Sequence, residues 1–167
     1  MTTGLGVSAH EEIRDLMARY CRGVDRMDAD LIASAYHPDA IDEHGVTQFT
    51  GETVGPGIVD LLRSARFSMH HVTNQAIQLH DDDHAGCETY YEVWQTIPDE
   101  GGGEQLLHVL GRYIDRLERR GGEWRIAHRL VIVEILRRLP LDGTEFLATR
   151  HACRDRTDPS YAVLGRP

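Results

Sequence analysis

Apolar positions recur at spacings of three and four over the first third of the chain and at spacings of two over most of the rest, so helices precede strands. Ser8, followed three residues on by Glu11, predicts the start of a first helix. Ile13, Leu16, Met17, Tyr20 and Val24 form its apolar stripe, which ends near Asp25 to Asp28. Asp28 is placed to cap a second helix from Ala29 to Tyr36, broken by His37-Pro38-Asp39. Ala40 to Gln48 reads as a modest strand, and residues 54–66 as a third helix entered through Gly55, Pro56 and Gly57. The period then changes to two. Strands are expected over Phe67–Leu79, Ala85–Ile97, Gln105–Arg119 and Trp124–Leu139, joined by polar or glycine-rich turns.

Helices gathered before a run of strands indicate an α+β fold, here a curved antiparallel meander wrapped around the N-terminal helices to leave a cup. Gly111, central in a long strand, is a natural place for the bend. The expected organisation is a loose arm over residues 1–8, one domain over 9–139, and a tail over 140–167 of little periodicity. That tail reads as a mobile terminus.

Charge narrows the partners. Lys plus Arg number 18 against 27 Asp plus Glu, a formal charge of −9, which disfavours nucleic acid and an anionic membrane surface. Arg137, Arg138, Arg150, Arg154 and Arg156 nevertheless leave room for a local anion site near the end. No apolar run approaches a membrane span, and the first residues lack the basic and apolar regions of a signal peptide, so a cytoplasmic location is expected. Three scattered cysteines (Cys21, Cys87, Cys153) suggest neither a disulfide framework nor a zinc site.

The chemistry centres on His70 and His71. Neighbours on a strand point to opposite faces, so one ring faces the cup and the other faces away. An imidazole serves acid/base chemistry near neutral pH. Alternation groups His70 with Asn74 and so selects His70 for the cavity, whereas a one-residue slip would select His71. A metal reading exists beside this one. His37, Asp39, Asp42 and His44 crowd one segment, and His80 to His84 encloses three aspartates. The second cluster falls where a hairpin turn is needed, and solvated polar turns account for it, so no metal is expected. No glycine-rich phosphate loop follows a strand, so no nucleotide cofactor is expected either.

Three stretches resemble the SnoaL-like proteins of the nuclear-transport-factor-2-like superfamily: Arg19 to Asp25 with Leu31 to Asp42, His70 to Asn74, and Gly111 to Arg129. The resemblance spans about residues 9 to 139 and implies a cone-shaped α+β barrel with its pocket between the helices and the concave face of the sheet. Several lyases of that superfamily (scytalone dehydratase, bile-acid dehydratases, hexachlorocyclohexane dehydrochlorinase) use an Asp–His pair inside the cone. The resemblance places Asp25 and His70 in those roles, the carboxylate orienting the ring and the ring acting as base. Tyr20, five residues before Asp25 and about 140° around the helix, matches a tyrosine of the bile-acid dehydratase pattern. Asn74 and His71 are further substrate-binding candidates, and Tyr36, Tyr90, Trp94, His108 and His128 are candidate pocket linings. Each has a bland alternative: Asp25 as a helix cap, His70 as a satisfied core histidine, Tyr20 as a core tyrosine. The expected function is a cofactor-independent lyase of dehydratase type, or an isomerase, acting on a small hydrophobic substrate, polycyclic ones included. The alternatives are a binding or assembly module and a structural subunit like the small chain of ring-hydroxylating dioxygenases. A homo-oligomer, dimer or trimer, is expected, and for the tail the resemblance implies a lid or subunit contact instead of a mobile terminus.

Overall fold

A computed structural model of the chain describes residues 8–144 and 153–165; most of the expected N-terminal arm and Arg150 of the tail lie outside the described residues. Helix α1 spans Ala9–Asp25, and the Ser8 hydroxyl accepts from the Glu11 N–H at 3.3 Å, as its sequence predicts. Its stripe of Ile13, Leu16, Met17, Tyr20 and Val24 is buried. Helix α2 spans only Ala29–Ala33, capped by Asp28, and does not reach Tyr36. Tyr36 instead opens strand β1 (Tyr36–His44), which turns at Gly45 into β2 (Thr47–Thr50) where one strand was expected. The reason is tertiary. The Tyr36 ring is buried edge-on against Tyr20 at 5.9 Å, a position an extended backbone provides and one more helical turn would not. Pro38 falls where the β1 ladder is interrupted, between Tyr36 and Ile41, so its missing N–H costs no ladder bond.

Helix α3 (Val54–Leu61) leads into the meander β3 (Ser68–Leu79), β4 (His84–Pro98), β5 (Glu104–Arg120) and β6 (Glu123–Pro140). The six strands form one curved sheet in the order β2-β1-β6-β5-β4-β3. Two points differ from the expected closed, antiparallel cup. β1 runs parallel to β6, which the intervening elements permit as a long crossover, and β2 and β3 remain as edges, so the sheet does not close into a barrel. A register shift at Leu110/Gly111 supplies the bend foreseen at that glycine; a Cβ there would strike the Ile132 carbonyl and the Tyr91 ring.

The concave face carries one cation that ties the layers together. Arg129 of β6 has no exposed surface. Its Nε and Nη2 donate to the two carboxylate oxygens of Asp115 at 2.7 and 2.8 Å. Its guanidinium lies 4.3 Å from the Tyr20 ring centroid and 4.1 Å from that of Tyr113, while Nη1 reaches the Tyr36 hydroxyl at 3.3 Å. Tyr36 in turn donates to the buried Asp42 at 2.5 Å. Burial opposes the Arg129 cation, yet Asp115 against it raises its pKa well above the ordinary value, so the guanidinium stays charged.

The C-terminal segment returns to the junction of α1 and α2 and ends in a short helix α4 (Ser160–Leu164). Arg156 donates to Asp28 at 2.6 and 3.0 Å and to Asp30 at 2.6 Å, and the Tyr161 hydroxyl donates to Asp28 at 2.7 Å. The Tyr161 ring lies under the Arg22 guanidinium at 4.4 Å, and Arg26 pairs with Asp158 at 3.2 Å. Burial alone would raise the Asp28 pKa; the bonds from Arg156 and Tyr161 outweigh it and hold it at about 2. Its folded value therefore lies below the unfolded one of about 3.9, so the docking energy is present above that pH and is lost as pH falls towards about 2.

Two outcomes are expected. Arg129→Met should lower stability by about 3–5 kcal/mol in urea titration, because Asp115 is left buried without its counter-charge. A change indistinguishable from that of a surface substitution would remove the cation from this role. Asp28→Asn keeps a good helix cap but removes the charge facing Arg156. Amide exchange over residues 154–164 should accelerate in that variant and lose the acid-induced release expected of the native chain. Unchanged exchange would mean that the segment is held by something other than Asp28.

Candidate active site

Asp25 is the last residue of α1, and the chain around it is fixed by how the helix stops. The Asp28 N–H bonds the Gly23 carbonyl at 2.9 Å and the Met27 N–H bonds the Val24 carbonyl at 3.2 Å, with Met27 at φ 52°. That is a Schellman stop with methionine in the left-handed position usually given to glycine. It leaves Asp25 at the final helical position, facing the edge strand β3.

β3 meets it with a backbone donor and a ring. As an edge strand, β3 has N–H groups with no neighbouring strand to accept them. The His70 N–H donates to Asp25 Oδ2 at 2.9 Å, and His70 Nδ1 lies 2.7 Å from Asp25 Oδ1. Ser68, two residues earlier on the same face, adds a longer bond from its hydroxyl to Oδ1 at 3.4 Å. A carboxylate accepts only, so Nδ1 carries the proton and the lone pair of the neutral ring sits on Nε2. Nε2 has no hydrogen-bond partner among the described residues. Both side chains are largely enclosed, 9% exposed for His70 and 13% for Asp25.

The wall beside the ring is apolar. Registers place His70 opposite Val93, Val93 opposite Val109 and Val109 opposite Leu136, one row across the concave face. Val93 and Val109 are buried and Leu136 is 44% exposed, so the row runs from the enclosed dyad to an open side. A separate cleft of about 630 Å³, between α1, the β5–β6 turn and Leu164, does not include the dyad.

The other expected residues are distributed differently. His71 is exposed and lies opposite Glu92. Asn74 is exposed as well: a register shift between Val72 and Gln75 adds a residue to β3, so four-residue spacing no longer means one face. Gln75 takes the inward place and bonds Thr89 at 3.2 Å. Tyr20 and Tyr36 sit in the closed cluster around Arg129, where burial pushes both hydroxyls upward in pKa; among the described residues their ring and polar contacts are with that cluster and not with the dyad. Tyr90, Trp94, His108 and His128 alternate with buried residues and belong to the convex face, not to the pocket lining. There Trp94 stacks on His108 at 3.7 Å and both donate to Glu92, while His128 pairs with Glu43. Ser68 and Met27 were missed by sequence reasoning; the first was available from alternation, two residues before His70, and the second had no signal because the left-handed residue is not glycine.

Among the described residues no group of three or more His, Cys, Asp or Glu side chains is placed to hold a metal ion. Residues of the two histidine and aspartate clusters have other partners. His37 bonds the Glu118 carbonyl, Asp39 pairs with Arg120, His44 bonds Asp42, and Asp81 closes the β3–β4 turn on His84 and the Asp83 N–H. The three cysteines are free thiols.

Solved structures share this fold. A hexachlorocyclohexane dehydrochlorinase (LinA) of type 2 is 20% identical with a TM-score of 0.73, over 84% of this chain and 94% of that one. A candidate scytalone dehydratase from Novosphingobium aromaticivorans is 15% identical at 0.68, over 82% and 95%. The beta subunit of a candidate aromatic-ring-hydroxylating dioxygenase from the same organism is 22% identical at 0.61, over 77% and 91%. No curated protein matches the chain. A family model described as the SnoaL-like domain matches residues 6–130, three-quarters of the chain. With the curved sheet and its concave face filled by N-terminal helices, the chain belongs to the SnoaL-like domain family.

Proposed function

We propose that the chain is a cofactor-independent lyase of dehydratase type, acting on a small hydrophobic molecule through Asp25 and His70. The observation that carries this is the 2.7 Å contact between Asp25 Oδ1 and His70 Nδ1 beside an apolar wall. His70 Nε2 takes a proton from carbon next to a carbonyl, and Asp25 stabilises the imidazolium that forms. The electron pair left on carbon forms a double bond as a β-hydroxyl leaves. The proton returns from Nε2 to that hydroxyl, water departs, and the ring is neutral again. An isomerase would share the first step and return the proton to another carbon.

The dehydrochlorinase and the candidate scytalone dehydratase support the reading by fold, and their names point to eliminations. The likeness to a dioxygenase beta subunit favours a structural role instead, but such a role places no demand on a carboxylate holding a ring nitrogen. A homo-oligomer, dimer or trimer, is part of the proposal: Tyr90, Leu130 and Ile135 stand 38–48% exposed on the sheet. Among the described residues no helix is long and apolar enough to cross a membrane.

Against a panel of β-hydroxy carbonyl compounds, Asp25→Asn should lower turnover about 10²- to 10⁴-fold with an unchanged melting curve. Near-native turnover would remove the dyad. Treatment with a strong chelator should leave the native rate unchanged; a loss restored by added divalent metal would overturn the cofactor-independent reading.

A further inference from the structure

The dyad has a cationic neighbour that its chemistry has not yet used. Arg154, in the returning C-terminal segment, donates from Nη1 to the carbonyl of Ala65, three residues before Ser68. Two residues further on, Arg156 grips Asp28, three residues after Asp25. Arg154 is thus pinned across the Asp25 end of α1, close enough for its charge and that of Asp25 to act on each other. Yet the two are not paired. The Asp25 oxygens are taken by the His70 N–H, the His70 ring and the Ser68 hydroxyl.

Arg154 therefore keeps a free edge. Its Nε and Nη2 are shielded from solvent and have no acceptor. This is the same Nε–Nη2 edge with which Arg129 holds both oxygens of Asp115 at 2.7 and 2.8 Å. Its neighbours differ: Arg156 has Asp28 and Asp30 and Arg26 has Asp158, while Arg22, whose Nε and Nη2 also lack an acceptor, lies over the Tyr161 ring. A desolvated cation calls for an anion, and two parallel N–H groups in one plane fit a carboxylate or an enolate oxygen.

We infer that Arg154 is the anion-binding group of the Asp25–His70 site, and that the substrate carries a carboxylate, or acquires an oxyanion, at that edge. This rests on the dyad reading for its chemistry but not for its binding test. A cation fixed where negative charge develops on proton abstraction would favour the charged intermediate over the neutral substrate.

The probe is benzoate, with benzamide as its neutral counterpart, followed by calorimetry and by the ring ¹⁵N signals of His70. Benzoate should bind saturably, shift the His70 signals, and outcompete benzamide. Arg154→Gln should weaken it at least about tenfold, and Arg154→Lys, which keeps charge but not the planar fork, should fall between. Asp25→Asn should still bind benzoate while losing turnover, which separates this inference from the dyad reading. Failure of benzoate to bind, binding that leaves His70 unmoved, or equal binding by Arg154→Gln with a native melting curve would each overturn the assignment. Should Arg154→Gln fail to fold, the native chain decides: equal affinity for benzoate and benzamide would refute an anion site.

Discussion

A buried cation holds the concave face together. Arg129 is gripped by Asp115 of β5, lies against Tyr20 of α1 and Tyr113 of β5, and reaches Tyr36 of β1. Helix α1, strand β1 and the β5–β6 hairpin, distant from one another in sequence, are fixed together at a single guanidinium. Desolvating such a charge is costly, and its tolerance depends on the completeness of the shell around it. The consequence for the site is positional. Tyr20 is locked on Arg129, and Asp25 follows five residues later on the same rigid helix, about 7.5 Å along its axis.

What Asp25 meets there follows from the sheet staying open. In a closed barrel every backbone N–H of β3 would be spent on a neighbour. Because β3 is an edge, the His70 N–H is available, and Asp25 takes it together with the ring nitrogen of the same residue. Backbone and side chain of one residue thus aim one carboxylate, leaving a single orientation for the imidazole. The helix stop through Met27 sets the same end of α1, and Asp28 then serves as both cap of α2 and anchor of the C-terminal segment. The dyad and the segment that brings Arg154 beside it are consequently built on one short stretch, Asp25 to Asp30.

Periodicity carried the fold a long way. The Ser8 cap, the α1 stripe, the four long strands and the bend at Gly111 follow from local rules that tertiary structure reinforces. Long-range packing decides the remainder. Nothing in Tyr36-His37-Pro38 announces a parallel partner some ninety residues later, and the local pattern continued α2 into what is β1. Asp25 and His70 were joined by family resemblance and not by any period, since 45 residues separate them. Asn74 shows the limit of alternation: one inserted residue in β3 turns it outward and brings Gln75 in. Of the residues read as pocket linings, Tyr36 is closed into the Arg129 cluster, and Tyr90, Trp94, His108 and His128 are on the convex face because a strand divides its side chains equally between two sides, and richness in aromatics does not say which.

The proposed chemistry turns on one proton. Asp25 is held to fix the hydrogen of the His70 ring on Nδ1 and leave Nε2 as the base. Long-range ¹H–¹⁵N correlation spectra of the labelled protein, recorded where the ring is neutral, read this directly. A protonated Nδ1 and an unprotonated Nε2 are expected for His70, with that preference lost in Asp25→Ala. A ring protonated at Nε2 in the native chain, or a tautomer indifferent to Asp25, would contradict it.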